Sequence, residues 1–147
     1  MFQRKVHRSP TGGAGRSRPP WRLLVESREP GMEISNFDAF RCAGFEVTLC
    51  QGPGEEASEC PIERGQPCPL LADADVVFFD LDDQFPQRAE VLAAMRANRP
   101  SLPIVVRSSA TSSPAASGCA TIGVATSVSG QVAALQKAAL RWPGRRA

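Results

Sequence analysis

The sequence predicts a three-layer α/β sandwich in which helices cover both faces of a five-stranded parallel sheet. Two observations carry the prediction. From Trp21 onward, short apolar runs alternate with stretches of helical period at a steady interval. Two of those runs, "ADVVFFDL" and "PIVVRSS", are almost continuously apolar, as strands buried on both faces must be. Parallel neighbours need crossover connections that travel back across a face of the sheet, and the intervening helical stretches supply them.

The elements follow in order. "WRLLVES" is a short apolar first strand, and "GMEISNFDAFRCAG" sets Ile34, Phe37, Phe40 and Ala43 along one helix face before Gly44 ends the helix. "FEVTLC" alternates and is rich in β-branched residues, so it reads as the second strand; "ADVVFFDL" is the third. "RAEVLAAMRANR" carries Ala89, Leu92, Ala93 and Met95 or Arg96 in helical register, and "PSLP" breaks it before the fourth strand, "PIVVRSS". "ATIGVATSV" contains the fifth strand. "SGQVAALQKAALR" then begins with a Ser cap and aligns Val132, Leu135, Ala139 and Gln136. Five strands of this length make a small flavodoxin-like sandwich, with expected strand order 2-1-3-4-5 and sites beyond the carboxyl ends of the strands. Those sites would form after Val25, Thr48, Phe79, Val106 and Val124.

Composition supports one globular domain, with 42% apolar and 22% charged residues. No apolar run approaches the roughly 18 residues of a membrane helix, and the N-terminus lacks the apolar centre of a signal peptide. A soluble, cytoplasmic protein is expected, with no membrane association. Residues 1–20 hold five Lys/Arg and no acid, and residues 141–147 hold three Arg and no acid. Removing both groups from the overall +2 leaves −6 for residues 21–140. The expected organisation is a basic disordered tail (1–20), a folded domain (21–141) and a basic C-terminal tail (142–147). The tails offer nucleic acid only weak, unspecific contact, for they lack aromatic interleaving beyond Phe2 and have no periodicity. "TGGAGRS" follows no strand and has Arg16 where a phosphate loop needs Lys. The only histidine is His7, in the tail, and there is no Tyr, so no Ser-His or Cys-His pairing can be built in the folded part. An enzyme is not expected.

In their order and spacing, "LLVESREP", "RCAGFEV", "ADVVFFDL" and "LPIVVRSSA" resemble the receiver domain of bacterial response regulators over most of residues 21–141. The resemblance implies that Asp80 stands at the phosphoacceptor position, that acids after the first strand hold Mg2+, and that Ser108 supplies the hydroxyl which bonds the phosphoryl group. Only Glu26 or Glu29 is available for the metal, with Arg28 between them; Asp82 and Asp83 could join Glu26 in a weak cation site. The lysine expected at the end of the fifth strand is missing, since Lys5 and Lys137 are the only lysines in the chain. Phosphoryl transfer depends on preorganised positive charge. The chemistry therefore reads as disarmed, and Asp80 as a solvated or turn-capping carboxylate. The implied function is that of a stand-alone, degenerate pseudo-receiver. It would be a signal-transduction module acting on a protein partner through the fourth and fifth strands and the last helix.

Residues 50–72 depart from that pattern. They hold four Pro, three Gly and the spacing Cys50-x9-Cys60-x7-Cys68, so the second helix is expected to be lost or reduced to a turn. Three readings stay open for the thiols: a zinc or iron-sulfur site, a redox pair of Cys60 with Cys68, or small residues that pin the loop. A thiol-based sensor is thus the alternative function. Cys50 and Cys68 are expected near opposite edges of the sheet, about 15 Å apart at about 3.3 Å per strand residue. Cys42 and Cys119 are expected to pack in the core.

Overall fold

Five parallel strands form one sheet: β1 (Trp21–Ser27), β2 (Phe45–Cys50), β3 (Val76–Asp80), β4 (Ile104–Ser108) and β5 (Ala120–Gly123). Their order is β2-β1-β3-β4-β5, as the alternation of strands and helices predicts. Among the described residues, four helices flank it: α1 (Glu33–Cys42), α2 (Pro69–Asp73), α3 (Arg88–Asn98) and α4 (Val128–Leu140). The structure, a computed structural model, describes residues 20–28, 33–52, 60–81, 87–108 and 119–141. Of the expected tails, 1–20 and 142–147, all but Pro20 lie outside them.

Alternation along the central strands divides the core in two. Leu24, Val77, Phe79 and Val106 face Val91, Leu92 and Met95 of α3 on one side of the sheet. Leu23, Val25, Phe78 and Val105 face Phe40 of α1 and Leu135 of α4 on the other. Phe78 and Phe79, adjacent in sequence, are 1% and 0% exposed, so β3 is covered on both faces. Burying each ring contributes roughly 2 kcal/mol.

The helices refine several expectations. In α1, Phe40 is buried and Phe37 and Ala43 pack against the same core as predicted, while the side chain of Ile34 lies outside the described residues. Gly44 ends the helix with φ +96, a conformation that glycine adopts without a Cβ penalty. In α3 the buried face is Arg88, Val91, Leu92 and Met95 rather than Ala89 and Ala93, because the larger apolar side chains claim the core. In α4 the N-cap is Ser127 rather than Ser129, which lies inside the helix; Ser127 accepts a hydrogen bond from the Gly130 amide at 3.1 Å, and Gln131 lies in the buried face with Leu135, Ala138 and Ala139. Ser127→Ala should cost about 1 kcal/mol in urea unfolding, since it leaves that amide without its acceptor.

The second helix is shortened rather than lost. Pro69 sits in its first turn, where a missing N–H costs nothing, and α2 runs only five residues. Arg99 stabilises its far end, with Nη1 donating to the carbonyls of Leu71 (2.7 Å), Ala72 (3.1 Å) and Ala74 (2.8 Å). A guanidinium there satisfies orphan carbonyls at the negative end of the helix dipole. Upstream, Gly65 at φ +68 closes a turn in which the Gln66 amide reaches Pro61 O at 2.8 Å, and Ile62 packs against the core. The described part of the loop is thus held by an apolar contact and a glycine turn.

Candidate functional site

The carboxyl ends of the strands bring Asp80, Arg107 and Ser27 to one edge. Ser27 is the register partner of Asp80 on β1, and Arg107 follows the Phe79–Val106 pair on β4, which puts it beside Asp80. Arg107 Nη1 lies 3.2 Å from Asp80 Oδ1 and 3.1 Å from Oδ2, and Nη2 donates to the Val124 carbonyl at 3.0 Å. Both side chains are only 14% exposed. Asp80 is therefore an ion-paired carboxylate and not the solvated or turn-capping group expected. The cause is register: parallel pairing sets an arginine against it, and a carboxylate with so little water around it needs a charge partner. The guanidinium also spans to the end of β5, the strand from which the missing lysine would have come.

Arg88 braces the same edge from beneath. It is 8% exposed; its Nε donates to Leu81 O at 2.9 Å, its Nη2 donates to Arg107 O at 3.2 Å, and its guanidinium stands 5.7 Å from the centre of the Phe79 ring. One cation thus ties the end of β3 to β4 through two backbone carbonyls.

Glu26 belongs to the other face of the sheet. Leu24 and Leu81 share one core cluster, Val25 belongs to the other, and Glu26 follows the face of Leu24. Its register partner is Cys50, whose thiol hydrogen-bonds to the carboxyl group. Glu26 is 5% exposed, and Oε2 has no hydrogen-bond partner among the described residues. Burial pushes the carboxyl up to about 7, only partly offset by the Cys50 hydrogen bond. Burial also pushes the Cys50 thiol up to about 12, reinforced by repulsion from Glu26, while a hydrogen bond from the Gly52 backbone pulls it down. Gly52, at φ +78, brings bare backbone against this pair: a Cβ there would meet Leu81 Cδ2 at 3.4 Å and Glu26 Oε2 at 3.9 Å.

Cys68 also interacts electrostatically with Cys50, and the two pack against the same core cluster, so they do not start from opposite edges. The reason is α2. Cys68 is its N-cap, and the helix ends where Asp73 meets Arg22, near the start of β1 (3.8 Å), so the helix itself carries the chain across the sheet. Cys60 is half-buried, Cys42 is exposed rather than packed in the core, and Cys119 is half-buried against the core. All five cysteines are free thiols. Among the described residues, no group of three or more His, Cys, Asp or Glu side chains is arranged to hold a metal ion.

Among the described residues, the acids do not form an Mg2+ site beside Asp80. The position that shares Asp80's face and register on β1 is Ser27, whereas Glu26 is turned to the opposite face against a thiol. Glu29, Asp82 and Asp83 lie outside the described residues. Ser108 is buried, one residue beyond Arg107. Sequence reasoning passed over Arg107 and Arg88, although each left a signal. Arg107 interrupts an apolar strand at the level of Asp80, and Arg88 opens a helix where the dipole disfavours a cation.

No protein-family model matches the sequence, and no curated protein matches it either. Solved structures do match in shape. A CheY-like response regulator receiver domain from Methanospirillum hungatei superposes with TM-score 0.63 at 15% identity, covering 84% of this chain and 96% of that one. A chemotaxis protein of Vibrio cholerae gives TM-score 0.59 at 16% identity, covering 81% and 98%. A protein described as an adenylate cyclase from Rhodopirellula baltica gives 0.63 at 18%, covering 84% and 90%. The chain has the fold of CheY-like receiver domains. Among the described residues, no helix is long and apolar enough to cross a membrane.

Proposed function

We propose that this chain is a non-catalytic, receiver-like regulatory module that acts on a protein partner without being phosphorylated. The observation that carries the reading is the Arg107–Asp80 ion pair. A carboxylate whose two oxygens both accept from one guanidinium at 3.1 and 3.2 Å is a poor nucleophile, because attack must break that pairing. A phosphoryl donor also needs a divalent cation, and β1 presents a serine where a second acid is required. Permanent internal charge compensation leaves the domain in one state, suited to constitutive binding. The expected binding surface comprises β4, β5 and α4, where Val124 is 51% exposed and Leu140 is 50% exposed.

The thiol-sensor alternative draws support from the neighbouring thiols of Cys50 and Cys68 rather than from Cys60 with Cys68. It is the weaker reading. A thiol pushed up to about 12 is almost wholly protonated at neutral pH and reacts slowly.

Incubation with acetyl phosphate and Mg2+, followed by intact-mass spectrometry, tests the proposal. The expected spectrum contains unmodified protein alone. A phosphoryl adduct mapped to Asp80 would overturn it.

A further inference from the structure

Among the described residues β5 is an outer strand of the sheet, hydrogen-bonded to β4 alone, with Ala120, Thr121 and Gly123 exposed and Ile122 half-buried. Its outward N–H and C=O groups are open to another chain. The Gly123 carbonyl is taken by the Thr126 amide at 3.1 Å, so the open stretch is Cys119–Ile122. Such edges are commonly blunted by a charged side chain or a proline, yet "CATIGV" holds neither, whereas β2 at the other edge carries Glu46.

A groove lies beside that edge on the α4 face. Ala120 and Ile122 are the register partners of Val105 and Arg107, and Val105 and Ile122 pack into the core cluster that contains α4. A cavity of about 420 Å3 opens there against Ala134, Lys137, Ala138 and Arg141, which follow one another along one side of the helix. The two alanines leave the groove open, and the two cations rim it. Lys137 and Arg141 are exposed, and among the described residues neither side chain forms an ion pair.

Cations at a helix C-terminus complement its dipole, which is the simplest competing explanation for the pair; that end is worth about −0.5, so two full charges leave a surplus of about +1.5. Shortness also guards an edge, so a strand of four residues takes a partner only where neighbouring side chains add to the main-chain bonds. Lys137 and Arg141 are placed to do so. The chain's own tails are basic, and a second copy would bring the same two cations to the groove. An acidic segment of another protein answers the charge.

We infer that β5 accepts an extended, acidic segment of the protein partner as a sixth strand, with main-chain hydrogen bonds to Cys119–Ile122 and carboxylates facing Lys137 and Arg141. The inference rests on the partner-binding reading above and states what binds. Alternate residues of an added strand share the face of α4, so its acids recur at every second position.

Titration of the full chain with synthetic ten-residue peptides, followed by amide chemical shifts and hydrogen exchange, tests the assignment. The probes are a peptide alternating valine with glutamate, its counterpart with lysine for glutamate, and the glutamate peptide fully N-methylated, which cannot donate to a strand edge. The glutamate peptide should bind at least tenfold more tightly than either of the others and slow exchange at the β5 amides. Lys137→Glu with Arg141→Glu, at two exposed positions, should transfer the preference to the lysine peptide, and the milder Lys137→Gln with Arg141→Gln should weaken glutamate-peptide binding at least tenfold. No binding of the glutamate peptide at millimolar concentration, equal binding of either control, or an unchanged preference in the folded variants would each overturn it. A phosphoryl adduct on Asp80 would sink the regulatory reading and leave these binding results as they stand, so the two failures are distinct.

Discussion

Arg107→Met should destabilise the domain by roughly 3 kcal/mol at neutral pH, the lower end of the cost of removing one partner from a buried ion pair. The substitution keeps the aliphatic stem and removes the guanidinium contacts to both Asp80 oxygens and to the Val124 carbonyl. What remains is a carboxylate with 14% exposure beside an unoccupied guanidinium site. The lower end applies because that residual exposure lets some water reach the carboxylate. Asp80→Asn should cost less, about 1–2 kcal/mol, since an amide oxygen still accepts from the guanidinium. Urea unfolding of both single variants and the double variant checks this. The double variant should be more stable than additivity predicts, by about 1 kcal/mol or more. A cost below about 0.5 kcal/mol for Arg107→Met would class the contact with ordinary surface pairs.

Glu26 should make the domain less stable as pH rises, the reverse of the usual carboxylate. Its folded value is raised from 4.5 to about 7, so the folded state binds a proton more tightly than the unfolded state does. The contribution is fully present below pH 4.5, declines between the two values, and is gone above pH 7. At about 1.4 kcal/mol per pH unit, moving from pH 5 to pH 8 should remove roughly 2–3 kcal/mol. Glu26→Gln presents a neutral amide to Cys50 at every pH. Unfolding at the two pH values should show the variant nearly flat in its Glu26-linked part and more stable than the parent at pH 8, by roughly 2 kcal/mol. Parallel pH dependence in the two proteins would locate the titration elsewhere.

Strand identity and order were legible because a doubly covered strand must be apolar at every position. Nothing but β3 suits "VVFFD". Gly44 was legible as a stop signal for the same local reason. The buried face of α3 was less so: periodicity alone does not say whether Ala89 or Val91 faces the sheet, and side-chain volume decided it. The Cys-rich loop misled most. A Pro-rich segment hides a five-residue helix well, and placing Cys68 at the far edge followed from treating the connection to β3 as featureless.

The sequence by itself determined the sheet order, the candidate Asp80 and the absence of a lysine at the end of the fifth strand, because each depends on local pattern or on counting residues. Tertiary structure alone decided Asp80's partner and Glu26's face, because both depend on strand register, and a shift of one residue exchanges the two faces. Register set Arg107 against Asp80, paired Ser27 with it on β1, and turned Glu26 toward a thiol.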